Sequence, residues 1–380
     1  MNSGTFFRNP LRELGALGQS IWLDYIRRDL IASGELRRLI EVDGLRGMTS
    51  NPSIFQKAIA GSHDYDEDIR TTALAGRSVK AIYEALSQRD VQSAADEFRP
   101  LYDKTEGADG YVSLEVDPHL AHDAGATVEE ARRLWTALNR PNVFIKVPAT
   151  AEGLPAIEQL IGEGISVNVT LLFGLPRYRQ VVEAYLAGLE ARAMQAKPMK
   201  AVASVASFFV SRIDTLVDAI LEKIIAQGGA EADAARMLHG QVAVASAKAA
   251  YQVYRQAFAS DRFALLAGKG ARTQRLLWAS TSTKNPEYSD VKYVEALIGR
   301  GTINTVSVET LDDYRDHGEP KDRIEQEVEE ARGVLDRLPG LGINIDEVTQ
   351  QLEDEGVEKF NRSFEELMAA LDKTVGSVPR

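Results

Sequence analysis

The sequence predicts an α/β protein: a closed (β/α)8 barrel of the TIM type, with extra helices that include C-terminal ones packed on the barrel. Three observations carry that prediction. Short β-rich runs alternate with longer helical segments along most of the 380 residues, and eight such runs can be counted. No G-x-G-x-x-G follows the first of them, which disfavours an open dinucleotide-binding sheet, and GKG (268–270) is a lone turn signal.

SIWLDYI (20–26) reads as the first strand, with RRDLIASGELRRLIEV after it as a helix. LRGMTS (45–50) is the second strand, stopped at Asn51-Pro52 because the residue before proline is pushed out of the α region. The polar stretch GSHDYDEDIR interrupts before a long helix, VKAIYEALSQRDVQSAADEFRPLY. GYVSLEVD (110–117) is the third strand, and TVEEARRLWTALN is a helix with Thr127 as expected N-cap and Glu130 closing a capping box.

NVFIKVP (142–148), ISVNVTLLF (165–173) and AVASVASFFV (201–210) are strands four to six. Each is followed by a helix: EGLPAIEQLIGEG, RYRQVVEAYLAGLEARAMQ and RIDTLVDAILEKIIAQGG. Segment 231–258 reads as one extra helix. RLLWAST (275–281) and GTINTVSV (301–308) complete the series, separated by a short helix near YSDVKYVEALIG. From about residue 320 the chain is acidic and helical, and 321–338 and 348–373 are expected to pack on the barrel. Residues 1–380 then form one barrel domain with a C-terminal extension over about 320–375.

Composition narrows the function. Lys and Arg number 44 against 56 Asp and Glu, a formal charge of −12, which argues against a general affinity for nucleic acid or an anionic membrane. Without cysteine there are no disulfides, thiolate metal sites or thiol nucleophiles. The N-terminal segment has no continuous apolar core of a secretory signal, and no 18-residue apolar run occurs, so a cytoplasmic location is expected.

Barrels of this kind carry their chemistry at the C-terminal ends of the strands. The polar residues there are Asp24 on strand one, Thr49 and Asn51 on two, and Glu115 and Asp117 on three. Lys146 follows on four, Asn168 and Thr170 on five, and Ser204 and Ser207 on six. Ser280 with Lys284 beyond it come from seven, and Asn304 and Thr305 from eight. Lys146 stands between Ile145 and Val147. A charged amine there must reach water, find a partner or give up its proton. Taken alone it reads first as a snorkelling lysine, yet a closed barrel has no free edge from which to snorkel.

A desolvated amine can attack a carbonyl and form an imine, which acts as an electron sink for breaking a neighbouring C–C bond. That chemistry needs a proton acceptor and a positioned water, for which Asp24 and Glu115 are candidates. Asp24 reads equally as a helix N-cap, and Glu115 as half of an inter-strand salt bridge. Arg212, at the start of a helix shortly after Ser207, suits a phosphate, or alternatively pairs with Asp214. HLAH (119–122) has an H-x-x-H spacing in a His-poor loop, where metal binding is not expected.

GLRGMTSNPSIF (44–55) and NVFIKVPATAEGLPAIEQLIGEGISVNVTLLF (142–173) resemble the two signatures of the transaldolase family in its longer bacterial form. VSLEVD and TINTV are similar to two further landmarks. The resemblance implies that Lys146 forms the imine with a ketose phosphate, Asp24 takes the hydroxyl proton, and Glu115 activates the catalytic water held by Thr170. It further implies that Asn51, Asn168 and Ser207 bind the dihydroxyacetone unit, and that Arg212 binds the phosphate, assisted by Ser280 and Lys284. Many members have an arginine near that last position; here WASTSTKNP offers Lys284, which holds a phosphate as a point charge and not in bidentate fashion.

The implied reaction moves a dihydroxyacetone unit from sedoheptulose 7-phosphate to glyceraldehyde 3-phosphate, giving erythrose 4-phosphate and fructose 6-phosphate, with no cofactor or metal. Phosphorylated sugars are the expected partners, with no nucleic acid and no membrane, and the chain as monomer or homodimer. Two alternatives stay open. A fructose-6-phosphate aldolase-like enzyme would release the three-carbon unit, but such relatives tend to carry glutamine at the position of Glu115 and tyrosine near that of Phe209. The other is a sugar-phosphate-binding barrel without catalysis.

Overall fold

A computed structural model describes residues 9–377. The first eight residues, part of the N-terminal segment read above as no signal, and the last three lie outside them. Eight parallel strands close in chain order: β1 Ser20–Asp24, β2 Gly47–Thr49, β3 Tyr111–Glu115, β4 Val143–Pro148, β5 Val167–Leu172, β6 Ser204–Phe209, β7 Arg275–Ala279 and β8 Ile303–Val306. β8 pairs with β1, so no strand edge is left open. β3 to β6 are buried at every residue, which is why they read as near-continuous apolar runs and not as alternating ones.

Aromatic rings fill the barrel. Trp22 of β1 stacks with Phe144 of β4 at 6.2 Å, and Phe144 with Tyr111 of β3 at 4.3 Å, whereas Phe208 and Trp278 meet edge-on at 6.2 Å on the outer side of the strands, where Phe208 also meets the helix residue Tyr178. The N-terminal end is plugged by Arg275, which donates to Ser20 Oγ and the Thr302 carbonyl at 2.8 Å and pairs with Asp109 at 3.1 Å. Ser204, expected near the reactive end of its strand, sits at this floor instead, because it opens β6; its hydroxyl donates to the Val167 carbonyl.

Several helices differ from expectation. The segment after β1 breaks into Arg28–Ala32, Glu35–Arg38 and a π turn Leu39–Asp43, because Gly34 takes φ +82° between the first two. The polar insert holds a helix, Asp66–Leu74, and another, Pro52–Ala60, follows β2 directly. The helix expected to start at Thr127 runs Ala124–Leu138 with Asp123 as its N-cap. Thr127 donates instead to the Leu120 carbonyl, and Glu130 accepts from the Asp117 amide, so there is no capping box. Segment 231–258 splits at His239-Gly240 into Ala230–Leu238 and Val242–Phe258. Only Val328–Arg337 of 321–338 is α-helical, and short helices Pro10–Ala16 and Val308–His317 were not anticipated.

The last helix, Ile345–Gly376, packs against Pro52–Ala60, Val79–Lys104, Ser211–Gln227 and the end of β5, and so lies over the C-terminal mouth of the barrel. Ser53 and Ser363 share a 2.7 Å hydroxyl bond, Arg177 pairs with Glu353 at 3.0 Å, and His119 reaches Glu365 at 3.0 Å. Among the described residues no helix is long and apolar enough to cross a membrane.

Gly47 shows how tightly the interior is filled, since a Cβ there would meet the Trp22 ring at 2.4 Å. Gly47→Ala is expected to cost about 1–3 kcal/mol by overpacking. Gly340→Ala, with open space around it, should shift stability by less than about 0.5 kcal/mol. Denaturant midpoints compare the two directly; equal effects would contradict this packing.

Candidate active site

Strand register decides which side chains meet at the mouth. Glu115 pairs with Lys146, Lys146 with Asn168, Pro148 with Thr170, and Asp24 with Thr49. Phe144 points into the barrel against Trp22, so Lys146, two residues on, faces inward as well. The first signature and the second are thereby brought side by side across four strands.

A cavity of about 520 Å³ opens at this mouth. Asp24, Asn51, Lys146, Thr170, Ser207, Arg212, Ser280 and Lys284 line it, whereas Glu115 and Asn168 lie buried behind the lining. Lys146 is buried, and its Nζ donates to the Ser50 carbonyl at 3.0 Å. Ser50 is itself fixed, its hydroxyl donating to the Ser113 carbonyl at 2.7 Å. The Phe360 ring of the last helix covers the amine at 5.8 Å. Lys146 therefore does not snorkel.

Glu115 Oε2 lies 3.4 Å from Lys146 Nζ, close enough for an ion pair but without hydrogen-bond alignment. Among the described residues neither of its oxygens has a hydrogen-bond partner, and the same holds for the buried Thr170 Oγ1. Burial pushes the Glu115 carboxyl up to about 7, with the Lys146 charge opposing. The inter-strand salt bridge and the catalytic reading of Glu115 thus describe one pair.

Asp24 is not a helix cap. Its carboxylate accepts from Thr49 Oγ1 at 2.7 Å, and that hydroxyl also shares a 2.7 Å bond with Thr305. Burial raises the Asp24 pKa above its ordinary value, while Lys146, Thr49 and Arg212 pull it back. Asn168 is held by both ends: its Nδ2 donates to Ser113 Oγ at 3.0 Å, and its Oδ1 accepts from Ser207 Oγ at 2.6 Å. Asn51 caps helix Pro52–Ala60 through Oδ1, which accepts from the Ile54 amide at 3.0 Å, and this leaves its Nδ2 to donate to a ligand.

Arg212 stands in the first turn of Ser211–Gln227, its guanidinium 5.4 Å from the Phe209 ring centre. It does not pair with Asp214, whose carboxylate instead takes the Ala243 amide, Tyr293 and Lys292. The amides of Val210 and Ser211 are taken by the carbonyls of Ala279 and Ser280, so an anion here would rely on side chains more than on the helix terminus. Leu171 and Ser280, both at φ +53°, mark strained backbone at the ends of β5 and β7, and at β5 this accompanies a register shift.

His119 contacts Asp117 and Glu365, and His122 contacts Glu152, so the H-x-x-H pair does not converge. Among the described residues no group of three or more metal-ligating side chains is positioned for an ion. Sequence reading missed Lys57, Lys359, Phe360 and Ser363, which also line the cavity. The last three fall at i, i+1 and i+4 on one helix, a spacing readable in EKFNRSF once the helix is known to cross the mouth.

A family model described as Transaldolase/Fructose-6-phosphate aldolase matches residues 21–371. Similar curated proteins include one named Transaldolase from Trichodesmium erythraeum, 48% identical over 97% of this chain and 98% of its own. Another Transaldolase, from Acidothermus cellulolyticus, is 50% identical over 97% of both chains, and Transaldolase 2 of a Nostoc species is 47% identical over 97% and 98%. With the model and these relatives spanning nearly all of it, the chain belongs to the transaldolase/fructose-6-phosphate aldolase family.

Proposed function

We propose that the protein is a transaldolase, an enzyme that carries a dihydroxyacetone unit between phosphorylated sugars through an imine on Lys146. The observation that carries the reading is the buried amine at the cavity floor, 3.4 Å from a carboxylate, with Arg212 and Lys284 on the cavity wall. Relatives so named, near 48% identity, support it.

In this reading Lys146 Nζ attacks the ketone carbon of sedoheptulose 7-phosphate or fructose 6-phosphate, and loss of water leaves the iminium. Glu115, the acid beside Nζ, takes and returns the protons of those steps. Asp24 removes the proton from the hydroxyl two carbons from the iminium carbon; that oxygen becomes the aldehyde of the departing aldose phosphate as the C–C bond between them breaks and its electron pair enters the iminium. The enamine left on Lys146 attacks the incoming aldehyde, and water held by Glu115 and Thr170 then releases the ketose. Burial suits both acids to this, since desolvation makes each a better base than a solvated carboxylate.

Asn51, Asn168 and Ser207 hold the hydroxyls of the three-carbon unit, and Arg212, Ser280 and Lys284 hold the phosphate. The chain acts as one domain with its C-terminal extension, in the cytoplasm and the non-oxidative pentose phosphate pathway. Glu115 and Phe209 favour transfer over release of free dihydroxyacetone.

Borohydride reduction with fructose 6-phosphate should add one reduced sugar-derived mass to the wild type and none to Lys146→Ala. Asp24→Asn should still be trapped, yet transfer should fall about 10²–10⁴-fold. Trapping at another lysine, or free dihydroxyacetone released faster than it is transferred, would sink the proposal.

Glu115 has an ordinary value of 4.5 and about 7 in the fold, so the folded state binds its proton more tightly. It contributes stability that is fully present below about 4.5 and lost as pH rises through about 7. Glu115→Gln should flatten the decline across that window in denaturant midpoints, and an unchanged slope would show that Glu115 does not titrate there.

A further inference from the structure

We propose that helix Ile345–Gly376 forms a working wall of the active site, on which Lys359, together with Lys57 of helix Pro52–Ala60, binds the substrate phosphate alongside Arg212 and Lys284. The proposal rests on the sugar-phosphate reading above and extends it to a part of the chain that the strand-end argument does not reach.

Gly356, Lys359, Phe360 and Ser363 stand at i, i+3, i+4 and i+7, one face of the helix. The last three line the cavity. Gly356 sets the approach: a Cβ there would lie 3.0 Å from Leu171 Cδ2 and 3.8 Å from Arg212 Nη1. The helix backbone therefore reaches the arginine itself, with Lys359 one turn further on. The Ser53–Ser363 bond fixes the same face to helix Pro52–Ala60, which carries Lys57 into the cavity from the other side.

Arg212, Lys284, Lys57 and Lys359 all line this cavity, and among the described residues none has an acidic partner at ion-pair distance. Asp24, Glu309 and Glu355 act on the cluster only at longer range. The cations repel one another: Arg212 first, then burial, Lys284 and Lys57 all push the Lys359 pKa down. Four like charges left facing one another destabilise a free protein, and an anion among them relieves that repulsion. A phosphate monoester carries nearly two negative charges and three acceptor oxygens, which matches an arginine with three point-charge lysines. Phe360, next along, covers Lys146, so one helix contributes both the cover over the amine and a hold on the far end of the substrate.

Lys359→Met keeps the aliphatic stem and removes the charge. KM for fructose 6-phosphate should rise about tenfold, with kcat changed by less than about twofold, and competitive inhibition by inorganic phosphate should weaken by a similar factor. With unphosphorylated fructose the change in kcat/KM should stay within about twofold. Lys359→Arg should restore KM, and Lys373→Met, further along the same helix, serves as the control. Thermal stability of the free variant should be unchanged or higher, since a repelling charge has gone; a lysine with a merely structural role would lower it. Equal losses on fructose 6-phosphate and fructose, or an unaltered phosphate inhibition constant, would overturn the proposal. If wild-type protein forms no imine with fructose 6-phosphate, the sugar-phosphate reading has failed instead; thermal shift of wild type and Lys359→Met with inorganic phosphate then tests the anion site alone, an equal shift in both overturning it.

Discussion

Closure of eight parallel strands in register is the constraint on which everything else depends. Closure leaves Lys146 no edge to escape from, and the inward face of β4, set by Phe144 against Trp22, directs the amine into the barrel. The neighbouring strands then supply what a buried amine requires: the Ser50 carbonyl from the end of β2 and the Glu115 carboxylate from β3. An isolated buried charge would be too costly, so the three groups stand or fall together.

The electrostatics are graded from floor to rim. At the floor, burial pushes both Asp24 and Glu115 above their ordinary values, with Lys146 opposing in each case. Such pairs are arranged for proton exchange more than for stability, because partially charged buried groups move protons at little further cost. At the rim the balance reverses. Cations outnumber nearby acids despite a chain charge of −12, so the anion-binding character is local and would be invisible to any whole-chain average.

Much of this was legible in the sequence, for identifiable reasons. The strands read clearly because both faces are buried, which concentrates apolar residues into runs such as NVFIKV and ISVNVTLLF. Lys146, Asp24 and Glu115 stood out because a charge in such a run has few places to go. Helix boundaries read less well: Asp123 and Thr127 both make plausible caps, and only the competing bond from Thr127 to Leu120 separates them. Ser204 was placed at the wrong end because strand limits, and not residue type, decide whether a serine belongs to floor or mouth. The last helix was legible as a helix on the barrel, but its contribution to the cavity was not. Lys359 lies some two hundred residues from its cavity partners on β4, and only the packing of that helix over the mouth brings them together.

The most direct test of this account is a crystal structure of the protein after borohydride reduction in the presence of fructose 6-phosphate. Continuous density from Lys146 Nζ to the former ketone carbon is predicted, with Asp24 beside the hydroxyl of the scissile bond and the phosphate within hydrogen-bond reach of Arg212 and Lys359. Density joined to another lysine, or a phosphate directed away from the last helix, would contradict it.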